Sequence, residues 1–99
     1  MRFAYTEELR RYMQETGRRT IVVEVAKSDG DFEIVELHVH FTSDKQAELF
    51  KARRNFHAFS TELGEVLLPN YRLRYEDTVT FGLKKVLFWR RVTQTGIFL

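Results

Sequence analysis

The stretch Asp31-Phe-Glu-Ile-Val-Glu-Leu-His-Val-His-Phe41 constrains the fold more than any other part of this 99-residue chain. Side chains alternate across a β-strand, so Val35, Leu37, Val39 and Phe41 share one face, with Glu33 at the turn end. Phe32, Ile34, Glu36, His38 and His40 share the other. The first face reads as core. The second mixes apolar and ionisable groups and carries two of the three histidines.

Thr20 to Lys27 is rich in β-branched residues and reads as the partner strand. Ser28-Asp29-Gly30 between them suits a three-residue hairpin loop, with Gly30 in the left-handed position. That loop sets Lys27 opposite Asp31, Val23 opposite Val35 and Ile21 opposite Leu37. On the reverse face it sets Glu24 by Ile34, Val22 by Glu36 and Thr20 by His38. A slip of one residue would separate the two apolar faces.

Two helices are expected around this hairpin. Thr6 can cap the first, Glu7 and Glu8 suit its positive end, and Gly17 can close it, giving a short amphipathic helix at about 6–16. Ser43 and Gln46 form a capping-box pattern ahead of Leu49, Ala52, Phe56, Phe59 and Leu63. Their alternating spacing of three and four predicts one long helix over about 43–63, closed by Gly64, with His57 at the edge of its buried stripe. Leu67-Leu68-Pro69-Asn70 reads as a turn or short edge segment because of the proline. Tyr71–Tyr75 alternates as a strand, and 78–83 and 86–93 read as two more, although Val79, Leu83, Val86 and Leu87 also fit one side of a helix. The apolar tail Gly96–Leu99 is expected to pack on the core or pair with an edge. The expected fold is α+β: a two-layer sandwich of one antiparallel sheet of about four or five strands. The long helix would lie on one face, with the N-terminal helix beside it, in a single domain over 1–99.

Composition excludes whole classes of chemistry. There is no cysteine, which removes disulfides, thiolate catalysis and cysteine-held metal clusters. No apolar run approaches a membrane span and the first residues lack a signal-like apolar core, so a cytoplasmic protein with no membrane partner is expected. The net charge of +2 hides a polarity. Residues 1–50 carry seven basic and ten acidic side chains, and residues 51–99 carry nine basic and four acidic. A basic face for an anionic partner, or self-complementary patches, would follow from that division.

Three surfaces could carry a function. Glu36, His38 and His40 lie at i, i+2 and i+4 on one strand face, with Glu24 a cross-strand neighbour. Imidazoles and a carboxylate so placed could hold a divalent metal or tune a general base, although adjacent His and Glu on a sheet face also form simple solvated pairs. No cofactor is assigned beyond that possible metal. Val22, Phe32 and Ile34 would form an apolar patch if nothing in the chain covers them, and a two-fold homodimer would bury it. Arg72, Arg74, Lys84, Lys85, Arg90 and Arg91, with Trp89 among them, are the candidate nucleic-acid contacts, since cations beside aromatic rings hold phosphates and stack bases. No glycine-rich phosphate loop, Gly-x-Ser-x-Gly elbow or His-Glu-x-x-His is present, and Asp29, Asp31 and Glu33 fit a turn better than a calcium loop. The sequence favours a small non-enzymatic binding or assembly module, self-associating as a homodimer. A His/Glu metal-site protein and a nucleic-acid-binding module are the alternatives.

Overall fold

Two sheets, rather than one sheet under a long helix, make up this protein in a computed structural model that describes residues 1–28, 34–53 and 55–99. In chain order the elements are β1 (Arg2–Tyr5), α1 (Glu7–Thr16), β2 (Thr20–Ser28), β3 (Ile34–Thr42), α2 (Asp44–Ala52), β4 (Phe56–Ser60), β5 (Glu65–Pro69), β6 (Arg74–Val86) and β7 (Trp89–Phe98). One sheet has the order β1-β6-β7 and the other β3-β2-β5-β4. β1 runs parallel to β6 and β2 parallel to β5, while the hairpins β2–β3, β4–β5 and β6–β7 are antiparallel.

The expected short helix forms as α1. The Thr6 hydroxyl accepts the Leu9 N–H at 3.3 Å, and left-handed Gly17 ends the helix by donating its N–H to the Met13 carbonyl. Leu9 and Met13, four apart, point into the core. α2 likewise starts at Ser43, whose hydroxyl accepts the Gln46 N–H at 3.2 Å.

The long helix over 43–63 is overturned. α2 stops at Ala52, and Phe56–Ser60 pairs with Glu65–Pro69 as a hairpin. The apolar spacing that suggested one helix is shared between two elements. Phe50 of α2 meets Phe56 of β4 edge-on at 4.9 Å, and Phe59 meets Phe3 of β1 at 5.7 Å. Leu49, placed on the helical seam by its spacing, is exposed. The competing signal was the run Val66-Leu67-Leu68, which is fully or almost fully buried. A short continuous apolar run is the mark of a strand covered on both faces. Pro69 is tolerated because it is the last residue of β5, beyond the segment that pairs with β2. The expected turn at 67–70 is therefore an interior strand.

The β2–β3 register also differs from expectation. Val23 faces Val39, Val25 faces Leu37 and Lys27 faces Val35, with Glu24 beside His38 and Val22 beside His40. The offset from the expected pairing is an even number, so each apolar face still meets its own kind. Pairing closes at Ser28 and Ile34, and the expected Ser28-Asp29-Gly30 loop lies largely outside the described residues.

Of the expected strand at 71–75 only Arg74 and Tyr75 join β6, the strand at 78–83 is the middle of β6, and the expected 86–93 strand is split by the reversal between β6 and β7. Between the pairs Tyr75–Ile97 and Thr80–Thr95, several residues of β6 oppose one residue of β7. Gly96 (φ 103°) sits at that bulge, where an added Cβ would lie 2.8 Å from the Thr78 carbonyl oxygen. The tail Gly96–Phe98 belongs to β7.

The sheets share one core. Tyr5, Leu9, Ile21, Val23, Val66, Val79, Phe81, Val92 and Ile97 form a contiguous buried cluster drawn from both sheets and α1. A smaller cluster joins Val22 and Leu67 to Ala47, so α2 covers the outer face of the second sheet at that end.

Candidate functional site

The most exposed apolar surface in the described structure is the apex of the β6–β7 hairpin. Val86 pairs with Trp89, and the chain reverses through Leu87 and Phe88. Phe88 is 101% exposed, Leu87 80%, Trp89 72% and Val86 39%. Behind this apex, Lys85 pairs with Arg90 and Lys84 with Arg91. Successive residues of a strand point to opposite faces, so one cation pair lies on each face of the ribbon. On the face toward α1, the Arg90 guanidinium lies 5.4 Å from the Tyr12 ring centroid, and Glu8 and Glu15 border the same hollow. Lys84 and Arg91 border a separate hollow with Leu37, Val39 and Gln94, where no acidic side chain contributes to the lining. The positive charge is therefore least compensated on that side.

Leu87 is the only non-glycine residue with positive φ among the described residues, at 52°. A two-residue hairpin reversal with positive φ at its first central position normally takes glycine there. An apolar side chain is instead held in a costly backbone conformation at one of the most exposed positions among the described residues.

The histidines form separate pairs. His40 Nε2 lies 2.5 Å from Glu24 Oε2, and its Nδ1 lies 3.0 Å from the Phe41 carbonyl oxygen. Both ring nitrogens thus face acceptors. His38 Nε2 lies 3.2 Å from Glu36 Oε2. His38 and His40 each engage a separate glutamate on an exposed face, and no group of three or more His, Asp or Glu side chains placed to share a metal ion is found among the described residues. The strand bearing them reaches toward the hairpin, however. His38, His40, Phe41, Trp89 and Arg91 line one open hollow of about 370 Å³ between β3 and β7. His57 is exposed on β4.

The six cations expected to act together are split. Lys84, Lys85, Arg90 and Arg91 surround the apex, whereas Arg74 pairs with Phe98 at the opposite end of the hairpin. Ten residues along β6 separate Arg74 from Lys84, about 30 Å at the rise of a strand. Arg72 lies just before β6, on the Arg74 side. Of the apolar patch, Val22 has no accessible surface, being buried against Ala47 and Leu67. Phe32 and the Ile34 side chain lie outside the described residues.

Sequence reasoning passed over Val86, Leu87 and Phe88, reading the first two as possible helix or strand. The signal was available: four apolar residues bracketed by Lys84-Lys85 and Arg90-Arg91, with no acid between them.

The groups whose proton affinities the fold shifts lie elsewhere and act as fastenings. Burial raises the Tyr5 phenol, opposed by its 2.5 Å hydrogen bond with Thr61. The hydrogen bond from Arg10 holds the Glu62 carboxylate below its ordinary value. Together Tyr5–Thr61 and Arg10–Glu62 tie the β4–β5 turn to β1 and α1. Hydrogen bonding to Glu65 raises the Lys51 ammonium, joining α2 to β5. Among the described residues, no helix is long and apolar enough to cross a membrane. No family model, curated protein or solved structure matches the chain.

Proposed function

We propose that this protein is a non-enzymatic binding module of the cytoplasm, and that the apex of the β6–β7 hairpin is its contact surface. The observation that carries the reading is the continuous exposure of Val86, Leu87, Phe88 and Trp89 at a projecting tip. Scattered exposed apolar residues are ordinary, but a contiguous apolar patch set in a polar rim is the usual mark of an association surface. The backbone cost at Leu87 points the same way, because such strain persists where the residue is needed for more than folding. Of the residues expected to carry self-association, Val22 is buried in the monomer core, and Phe32 and the Ile34 side chain lie outside the described residues.

Photo-crosslinking in cells tests the proposal. A benzophenone-bearing phenylalanine analogue at Phe88 is expected to give covalent adducts with protein, nucleic acid or lipid. The same analogue at exposed Gln14 on α1 serves as the control. Adducts at Phe88 no more abundant than at Gln14 would remove the hairpin as the contact surface.

A further inference from the structure

We infer that the hairpin apex inserts into the headgroup region of an anionic lipid surface, an inference that rests on the apex being the contact surface. Three observations favour a bilayer over other occupants. The first is shape. The apex is convex and ends in two residues, Leu87 and Phe88, that project from the body of the fold. A convex apolar tip needs either a preformed pocket or a medium that closes around it, and lipid closes around it.

The second is the placement of charge. Lys84 and Arg91 lie on one face of the ribbon and Lys85 and Arg90 on the other, so cations stand behind the tip on both faces, with Arg90 also meeting Tyr12 of α1. A ribbon lying along nucleic acid would need its cations on the side that meets the phosphates. Cations on both faces behind the apex suit a tip entering a plane of anionic headgroups from above. Two copies meeting tip to tip would bring these cations together and repel. The apex also offers an area on the order of 500 Å², below the ~800 Å² that each partner brings to a standard interface.

The third is depth. At the rise of a strand, the two cation pairs stand about 7 and 10 Å behind the Leu87–Phe88 apex. Interfacial anchors sink their apolar groups roughly 5–10 Å, which leaves Lys84, Lys85, Arg90 and Arg91 level with the headgroups. Trp89, one position from the apex, would sit at the boundary that tryptophan favours. The cytoplasmic leaflet carries the matching negative charge. The sequence expectation of no membrane partner rested on the lack of a spanning segment, which says nothing about attachment to one leaflet.

Vesicle flotation with the full chain tests this, using phosphatidylcholine vesicles with and without phosphatidylserine. Binding is expected only with the anionic lipid, accompanied by a blue shift of emission from Trp89, the sole tryptophan. Leu87→Ser/Phe88→Ser should abolish flotation while leaving the circular dichroism spectrum unchanged. Lys84→Gln/Arg91→Gln, which leaves the apex intact, should weaken binding by about 20- to 30-fold, given roughly a fivefold effect for each cation. Flotation that survives the apex substitutions would overturn the inference. No flotation together with Phe88 adducts to protein or nucleic acid would overturn it and keep the apex as the contact surface. A blue shift that grows with protein concentration in the absence of vesicles would assign the apex to a second copy. No flotation and no adducts would remove both readings.

Discussion

Leu87 holds a left-handed backbone, φ 52°, at a position where hairpin reversals favour glycine. The left-handed conformation costs an L-residue roughly 1–2 kcal/mol, and glycine recovers part of that at the expense of greater freedom in the unfolded chain. Leu87→Gly should therefore stabilise the fold by about 0.5–1 kcal/mol, read from its denaturant midpoint, and should weaken flotation on anionic vesicles. A less stable variant would mean that the Leu87 side chain is part of the core. His38 and His40 illustrate the limit of reading residues from alternation. The shared face was correct, but which acceptor each ring would meet depended on cross-strand register, and the register placed Glu24 within reach of His40 rather than bringing both rings to one point.

At the scale of elements, the parallel pairing of β2 with β5 depends on a close approach. Glu65 donates its N–H to the Arg19 carbonyl at 3.0 Å, and preceding Gly64 (φ 155°) packs directly over that carbonyl. A Cβ on Gly64 would fall 1.9 Å from the Arg19 oxygen, so backbone would have to move. Gly64→Ala is expected to destabilise by about 2 kcal/mol or more in equilibrium denaturation. A neutral effect would contradict the β2–β5 junction. Two residues earlier, Glu62 ties this turn to Arg10 of α1. Its folded pKa is lowered by Arg10, so the stabilisation is fully present above the ordinary glutamate value of about 4.3 and is lost as pH falls through the lower folded value. Glu62→Gln should accordingly lower the denaturant midpoint slightly at pH 7, and the difference should shrink as the pH is taken below the ordinary glutamate value. A difference that stays the same as the pH falls would assign the effect to something other than this charge. Local signals served unevenly here. The caps Thr6 and Ser43 and the glycine stop at Gly17 were legible because capping depends on neighbours in sequence. Phe56–Ser60 was not, because its fate was decided by a partner strand, Glu65–Pro69, whose proline disguised it.

For the whole molecule, the division of charge along the chain becomes a division in space only in part. The basic second half places four of its cations around one hairpin apex and leaves Arg72 and Arg74 near the other end of β6. Sequence revealed the cations and Trp89 but not their grouping, since that required knowing where the chain reverses. The two-sheet arrangement was hidden for a related reason. β1 is only four residues long, and its parallel pairing with β6 joins segments more than seventy residues apart. The account turns on whether that apex stands free of the core in solution. Trp89 reports this without interference from other tryptophans, so the deciding measurement is acrylamide quenching of its emission in dilute protein, compared with the unfolded chain. The structure predicts a red, water-like emission quenched almost as readily as in the unfolded state. A blue, protected emission from the dilute monomer would place Trp89 in the core and contradict the account.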